Sequence, residues 1–225
     1  MIDALRHSAA HVFVQSIDVP ELTTDDRHHL ERVLRLRDDE IVTCSDGRGA
    51  WRTCRWNKST LIVDGDVFRE EPPTPTLTVG VVPVKGDRTD LVIEKLVEIG
   101  IDRIMILAPV ERSVVRWTSD KIPKVFERYQ RIIRSASMQS RRVFVPELIV
   151  PITLAEALAD GAAVAEPGGR ASHGDVTTLL IGPEGGFSAV EVAQASQTLD
   201  LGPTVLRAET AAMVGAARMV AHWRR

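Results

Sequence analysis

The chain has only two cysteines, Cys44 and Cys54, in 225 residues, and they are not spaced as CxxC. That excludes a disulfide-stapled secreted scaffold and predicts a reduced, cytoplasmic protein. Aromatic residues are scarce, with four tryptophans, five phenylalanines and one tyrosine, too few for a broad platform on which bases stack. No apolar run approaches the roughly 18 residues of a membrane helix, so no membrane attachment is expected. The start, Met1 to Arg6, lacks a basic segment followed by an apolar one, which predicts no signal peptide. GxGxxG, GxxxxGK(S/T) and GxSxG are all missing, so dinucleotide, P-loop and nucleophile-elbow chemistries have no support.

An excess of one charge is missing too. The net charge is -3, and 44% hydrophobic with 26% charged residues is an ordinary globular balance, which excludes wholesale disorder, collagen and coiled coil. The average hides a pattern. Residues 1–71 are net -4, residues 72–150 net +4 and residues 151–225 net -3, and residues 111–142 alone carry nine basic against three acidic side chains. A basic island on an acidic chain suits a localised polyanion, or is simply a solvated helix face. Twenty-three of the 28 basic residues are arginine, the side chain suited to bidentate phosphate contact.

Three prolines in Glu70-Glu71-Pro72-Pro73-Thr74-Pro75 permit neither a helix nor a central strand, and mark a stiff linker at 72–75. Ahead of it lie short strand-like runs: His11 to Val14, Glu40 to Cys44, Trp51 to Trp56 after the Asp46-Gly47 turn, and Leu61 to Val63. Helical spacing spans Thr24 to Leu36, with Leu30, Val33, Leu34 and Leu36 apolar. The prediction is a small barrel-like domain with one helix, in which Cys44 and Cys54 face each other as core thiols.

After the linker, strands and helices alternate. Strands are expected at Leu77 to Val82, Arg103 to Leu107, Ala162 to Ala165, Thr178 to Ile181 and Thr204 to Leu206. Helices are expected at 88–99 (stopped by Gly100), 120–138, from the Ser188–Glu191 capping box to about Leu199, and 209–223. Such alternation predicts an α/β layer structure with a mainly parallel sheet.

Two loops carry the strongest chemical signal. In Leu179-Leu180-Ile181-Gly182-Pro183-Glu184-Gly185-Gly186-Phe187-Ser188 an apolar strand runs into three glycines and a carboxylate before a capped helix. Glycines let backbone approach a ligand closely, and open α/β sheets bind ligands at the carboxyl ends of their strands. In Leu201-Gly202-Pro203-Thr204-Val205-Leu206-Arg207-Ala208-Glu209-Thr210-Ala211 a second such loop opens a small-sided helix whose mid-helix Gly215 needs a backbone or subunit packed close. No metal site is expected: His7 and His11 lie on an extended segment where that spacing does not converge on one ion. His28-His29, beside Arg32, Arg35 and Arg37, is either a solvated helix face or a phosphate contact.

These two loops resemble those of the ribosomal RNA small subunit methyltransferase E family, which modifies uridine N3 in 16S rRNA. The resemblance continues through Lys85-Gly86-Asp87-Arg88, Glu94 to Gly100, Glu111-Arg112-Ser113-Val114-Val115, Arg142 to Glu147 and, in the N-terminal part, His28-His29-Leu30 and Arg32 to Arg35. It implies an N-terminal PUA-like β-barrel over 1–71 and, over 76–225, a SPOUT methyltransferase domain with a trefoil knot. It also implies S-adenosylmethionine as cofactor, bound by Ile181, Gly182, Pro183, Glu184, Gly185, Gly186, Leu201, Gly202, Leu206, Arg207, Ala208, Glu209, Thr210 and Ala211. The implied substrate is uridine 1498 of 16S rRNA, naked or in the assembled small ribosomal subunit, and a homodimer would complete each site.

The sequence departs from the family at Ser137-Met138-Gln139-Ser140-Arg141-Arg142, where Met138 stands at the position of a usual Glu. An inactive RNA-binding homologue, or a methyltransferase with a tRNA or 23S target, therefore remains an alternative. Removing the uracil N3 proton needs cations aimed at the adjacent carbonyl oxygens, and Arg88, Arg112 and Arg142 are the candidates, with Glu184 and Glu209 to orient them. Contacts to RNA are expected from Arg32, Arg35, Arg37, Arg116, Arg128, Arg131, Arg134, Gln139 and Arg141, besides Arg112 and Arg142.

Overall fold

A computed structural model describes residues 2–170 and 176–224. The chain folds as two compact units, one of Met1–Pro73 with Arg134–Val145, the other of Thr74–Ile133 with Pro146–Arg225.

The first unit begins with helix α1 (Ile2–His7) and strand β1 (Ala10–Phe13). Helix α2 (Thr24–His28) runs on as one π-helical turn, His29–Val33. Then follow β2 (Ile41–Ser45), β3 (Ala50–Asn57), β4 (Thr60–Val63) and β5 (Phe68–Arg69). The sheet order is β1-β2-β3-β4, with β5 on the other end of β3 and β1 parallel to β2. Among the described residues no ladder joins β4 or β5 back to β1, so the hydrogen-bonded sheet is open.

The expected helix over Thr24–Leu36 is shorter than its apolar spacing suggests. The Thr23 hydroxyl caps it by accepting from the Asp26 amide at 3.1 Å. It stops at Val33, close to Arg35, whose φ of 54° is left-handed. Only Leu30 of the expected apolar face is buried, whereas Val33 and Leu34 are exposed. Cys44 and Cys54 do meet in the core, with sulfurs 3.5 Å apart. Cys44 is the donor to Cys54, and that hydrogen bond together with burial holds the Cys44 thiol far above its ordinary value, while the same bond lowers Cys54.

A buried polar chain crosses this core. The His11 ring nitrogens lie 2.8 Å from the Thr43 hydroxyl (Nδ1) and 3.0 Å from the Arg142 carbonyl (Nε2), and Thr43 lies 3.2 Å from the Ser8 hydroxyl. A carbonyl only accepts, so Nε2 carries the proton and Nδ1 accepts from Thr43.

The second unit holds β6 (Thr78–Val81), α3 (Arg88–Ile99), β7 (Arg103–Leu107) and α4 (Ile122–Gln139). After these come β8 (Glu147–Ile152), α5 (Leu154–Ala159), β9 (Ala163–Arg170), β10 (Thr178–Ile181), α6 (Ala189–Val192), β11 (Thr198–Leu199) and α7 (Ala208–Trp223). Its six strands lie in the order β11-β9-β10-β6-β7-β8, all pairs parallel. The strands β6, β7 and β10 are almost wholly buried, which is why they read as apolar runs without alternation. Gly100, at φ 110°, ends α3 as expected.

Three expectations are corrected. First, α4 was expected within a second domain of 76–225, but from Arg134 onward it belongs to the first unit, where Met138 packs on the core of Leu30, Val42 and Cys54. Second, the capping box at Ser188 and Glu191 is present, yet the helix it opens has one turn, Ala189–Val192, rather than reaching Leu199. The chain beyond it pairs with β9 instead: the Gln197 carbonyl accepts from Val164 at 3.0 Å. Third, Thr204–Leu206 is a loop. With β11 already on the sheet edge, this segment runs clear of it, and Val205 is 85% exposed.

The small side chains of α7 have an intrachain reason. Its buried face is Ala212, Gly215, Ala216 and Met219, and a Cβ on Gly215 would overlap Cδ2 of Leu179 on β10. Gly215→Ala should gain about 1 kcal/mol of helix propensity and lose about 2 kcal/mol to overpacking. Net destabilisation of the second unit by about 1 kcal/mol is expected in urea unfolding; stabilisation would refute the close-packing account.

No helix among the described residues is long and apolar enough to cross a membrane.

Candidate functional site

A cleft of about 290 Å³ opens in the second unit. It forms where parallel strands end. From β10 the chain turns through Gly182–Phe187; β7 leads to Arg112; β9 brings Glu166 and Pro167; β11 leads into Leu201–Leu206. Of the residues the resemblance assigned to a cofactor, Ile181, Gly182, Pro183, Glu184, Gly185, Gly186, Leu201, Leu206, Ala208 and Ala211 line this cleft. Gly202, Arg207, Glu209 and Thr210 are not on its wall.

The turn at Gly182 is built on a missing side chain. A Cβ there would come within 3.1 Å of Gly186 and Phe187 backbone atoms, so any side chain would push against the loop's own backbone as it folds back on itself. Gly186, at φ 67°, takes the left-handed conformation that other residues avoid. At Gly185 the situation differs: an added Cβ would meet only the Arg112 side chain, at an ordinary 3.5 Å.

Arg112 is fastened to this loop. Its Nη1 donates to the Gly185 carbonyl at 2.9 Å and to Phe187 at 3.3 Å. Glu191 fixes the chain beside it, accepting from the Glu111 amide at 2.8 Å and from Ser188 at 2.7 Å. Burial alone would raise the Glu191 carboxyl, but these donated hydrogen bonds and the charge of Arg112 outweigh it and hold it below its ordinary value. Glu191 was legible only as a capping residue; its second bond spans 80 positions of sequence.

Arg88 lies between two carboxylates, 3.7 Å from Glu184 and 3.9 Å from Glu209. Glu184 also accepts from the Lys85 amide at 3.2 Å, which ties the loop after β6 to the loop after β10. One oxygen of Glu209, Oε2, is buried with no hydrogen-bond partner among the described residues. Arg142, the third candidate cation, belongs to the first unit.

The expected RNA contacts divide. Arg32, Arg35 and Arg37 are exposed around the π turn and just after it, and Gln139 is exposed at the end of α4. Arg116 donates to the Val110 carbonyl at 3.2 Å, Arg128 pairs with Asp90 at 3.0 Å, and Arg131 bonds the Glu127 carbonyl at 3.4 Å. Arg134 grips the buried Asp26 through two nitrogens at 2.9 and 2.8 Å. Arg141 donates to the Met138 and Ser8 carbonyls, both at 3.0 Å. The basic island thus supplies internal partners as well as surface charge.

Sequence reasoning missed Ala165, Glu166, Pro167 and Asp200 on the cleft wall, and it read Thr204 and Val205, inside the second loop, as strand. Glu166 and Pro167 sit where β9 loses its pairing: Val164 opposes Thr198 and Arg170 opposes Leu199, leaving 165–169 bulged. A proline and two glycines inside a strand were the available sign. Among the described residues no group of acidic, histidine or cysteine side chains could hold a metal ion.

Residues 70–220 match the family model described as an RNA methyltransferase domain, and residues 22–64 match one described as an RNA methyltransferase PUA domain. The ribosomal RNA small subunit methyltransferase E of Mycobacterium bovis is 31% identical over 214 residues, 84% of this chain and 81% of that protein. Its Synechocystis namesake is 28% identical, over 88% of this chain and 71% of that protein. Among solved structures, a putative methyltransferase from Legionella pneumophila with bound S-adenosylmethionine superposes with TM-score 0.77 at 27% identity, covering 94% of this chain and 96% of that one. The Neisseria gonorrhoeae small subunit methyltransferase E, bound to S-adenosylmethionine, superposes with TM-score 0.75 at 26% identity, covering 96% and 98%.

Proposed function

The chain belongs to the ribosomal RNA small subunit methyltransferase E family, and on that premise we propose that it methylates N3 of a uridine in 16S rRNA, uridine 1498 by the family's pattern. It is an S-adenosylmethionine-dependent rRNA methyltransferase. The observation that carries the reading is the cleft itself. Two glycine-bearing loops wall it, and among the described residues its lining holds Glu166, Glu184 and Asp200 against one cation, Arg112.

That lining fits the cofactor. A surplus of carboxylates suits a ligand bearing sulfonium and ammonium charges, the backbone of Gly182–Gly186 is bare enough for close approach, and Leu201, Val205 and Leu206 offer apolar surface to an adenine ring. When bound, S-adenosylmethionine supplies an electrophilic methyl group. Uracil N3 becomes a nucleophile only when its proton leaves, and a cation held near the carbonyl oxygens favours the anion. Arg112 is preorganised for this by two loop carbonyls. Arg88 is oriented by Glu184 and Glu209. Arg142 keeps its assignment through the resemblance alone. Arg88→Lys, which retains charge but loses the fork between two carboxylates, is expected to lower kcat about tenfold in single-turnover transfer.

On the same reading, the two units are an RNA-docking PUA-like domain, with the family's barrel, and a catalytic SPOUT domain whose loops 182–187 and 201–206 belong to a trefoil knot. The protein works in the cytoplasm as a homodimer on 16S rRNA or the assembled small subunit. Labelled S-adenosylmethionine supplied with small subunits or naked 16S rRNA, followed by nucleoside mass spectrometry, should yield N3-methyluridine. A 2′-O-methyl nucleoside, or label in tRNA, would overturn the assignment. Met138 favours one second reading, an RNA-binding homologue without activity; cofactor binding with no transfer to any RNA would establish it.

A further inference from the structure

The first unit contains a larger cavity, about 590 Å³, to which methyl transfer gives no role. That volume lies within the about 300–1,000 Å³ range of small-molecule sites. β1, the α2 and π-turn segment, and the last turns of α4 wall it, all within the first unit. Part of its polar lining is already engaged: Arg134 with Asp26 through two bonds, both terminal nitrogens of Arg141 with backbone carbonyls, and His11 with Thr43 and the Arg142 carbonyl. The side chains of Asp25, Ser135 and Gln139 make no hydrogen bond to another described residue, and Nε of Arg141 is buried without an acceptor.

The arrangement disfavours phosphate. Asp25 and Asp26 place two carboxylates in the wall beside the His29 imidazole, and both guanidinium groups are already bonded. It favours a neutral, planar heterocycle with donors and acceptors on one edge. The Gln139 amide can pair with such an edge, and Asp25 can accept from a ring N–H or exocyclic amine. Met138 offers a polarisable thioether against which a ring can lie, where a carboxylate would carry charge. We propose that this cavity takes one unstacked nucleobase of the RNA. The proposal rests on the RNA substrate of the previous section and extends it to how the first unit reads single-stranded RNA.

The test uses the full chain with 13C-methyl-labelled methionine, titrated separately with uridine, cytidine, adenosine, guanosine and inorganic phosphate. The Met138 methyl resonance should move saturably with at least one nucleoside and stay still with phosphate. Silence with every nucleoside, or a response to phosphate alone, overturns the proposal. Gln139→Ala, at an exposed position that should not disturb folding, and Met138→Glu, checked for its melting curve, should each weaken binding of a single-stranded 16S-derived RNA at least tenfold. Wild-type affinity in Gln139→Ala also overturns it. A protein that methylates small subunits while the Met138 signal stays silent refutes the pocket alone. One that binds nucleosides here but methylates no RNA refutes the function and leaves the pocket.

Discussion

Gly185→Trp is expected to weaken S-adenosylmethionine binding about 1,000-fold, about 4 kcal/mol, while thermal unfolding moves little. The loop geometry makes both outcomes hold together. The only atoms an added Cβ would approach belong to the Arg112 side chain, at 3.5 Å, so the backbone has no reason to shift. A tryptophan side chain projecting from there has the cleft of about 290 Å³ to enter, and it would occupy most of the space a cofactor needs. Gly182→Val is the contrast. Its Cβ would sit 3.1 Å from Gly186 and Phe187 backbone atoms, so stability and affinity should fall together. Calorimetric titration and melting curves of the two variants, side by side, check the pair. Unchanged affinity in Gly185→Trp would remove the glycine loop from the cofactor site.

The first unit should lose about 3 kcal/mol as pH falls from 6.5 to 4, through His11. Burial pushes the His11 imidazole down from 6.5 to about 4, against the raising effect of the Arg142 carbonyl and with the help of the Arg141 charge. A folded value below the unfolded one means that the native state resists the proton. The stabilisation is therefore complete above pH 6.5, declines as pH falls towards 4, and is gone below that. The structure shows what protonation would break, because Nδ1 would stop accepting from Thr43. Amide exchange of β2 and β3 as a function of pH measures the loss, and imidazole NMR should show a midpoint near 4. His11→Gln keeps one donor and one acceptor but cannot titrate. A pH slope in that variant equal to the wild type's would show that His11 is not the cause.

The glycine loop was readable because it is local: strand, loop and capped turn lie within Leu179–Glu191, and the backbone demands there are met by the residues themselves. The same holds for the buried parallel strands and for Gly100 at the end of α3. Segments whose structure depends on a distant competitor were misread. Past the capping box, local propensity favours further helix through Ala193 and Ala195. Residues 197–199 instead found the free edge of β9, and sheet pairing outweighed helix extension. With that edge filled, the β-branched Thr204 and Val205 had no strand to join and became cleft wall instead.

Local chemistry in the amino-acid order was enough to assign the α/β class, the two glycine-bearing loops and, through their resemblance, the methyltransferase family. Tertiary structure alone decided where the charges went. Nothing in the spacing of Asp26 and Arg134, or of Glu111 and Glu191, announces that they meet, because such pairs form only when elements far apart in the chain pack and the desolvated groups must find partners. The basic island that suggested a polyanion is in part a set of internal counter-ions, and the end of α4 carries it into the first unit, where it walls a second cavity.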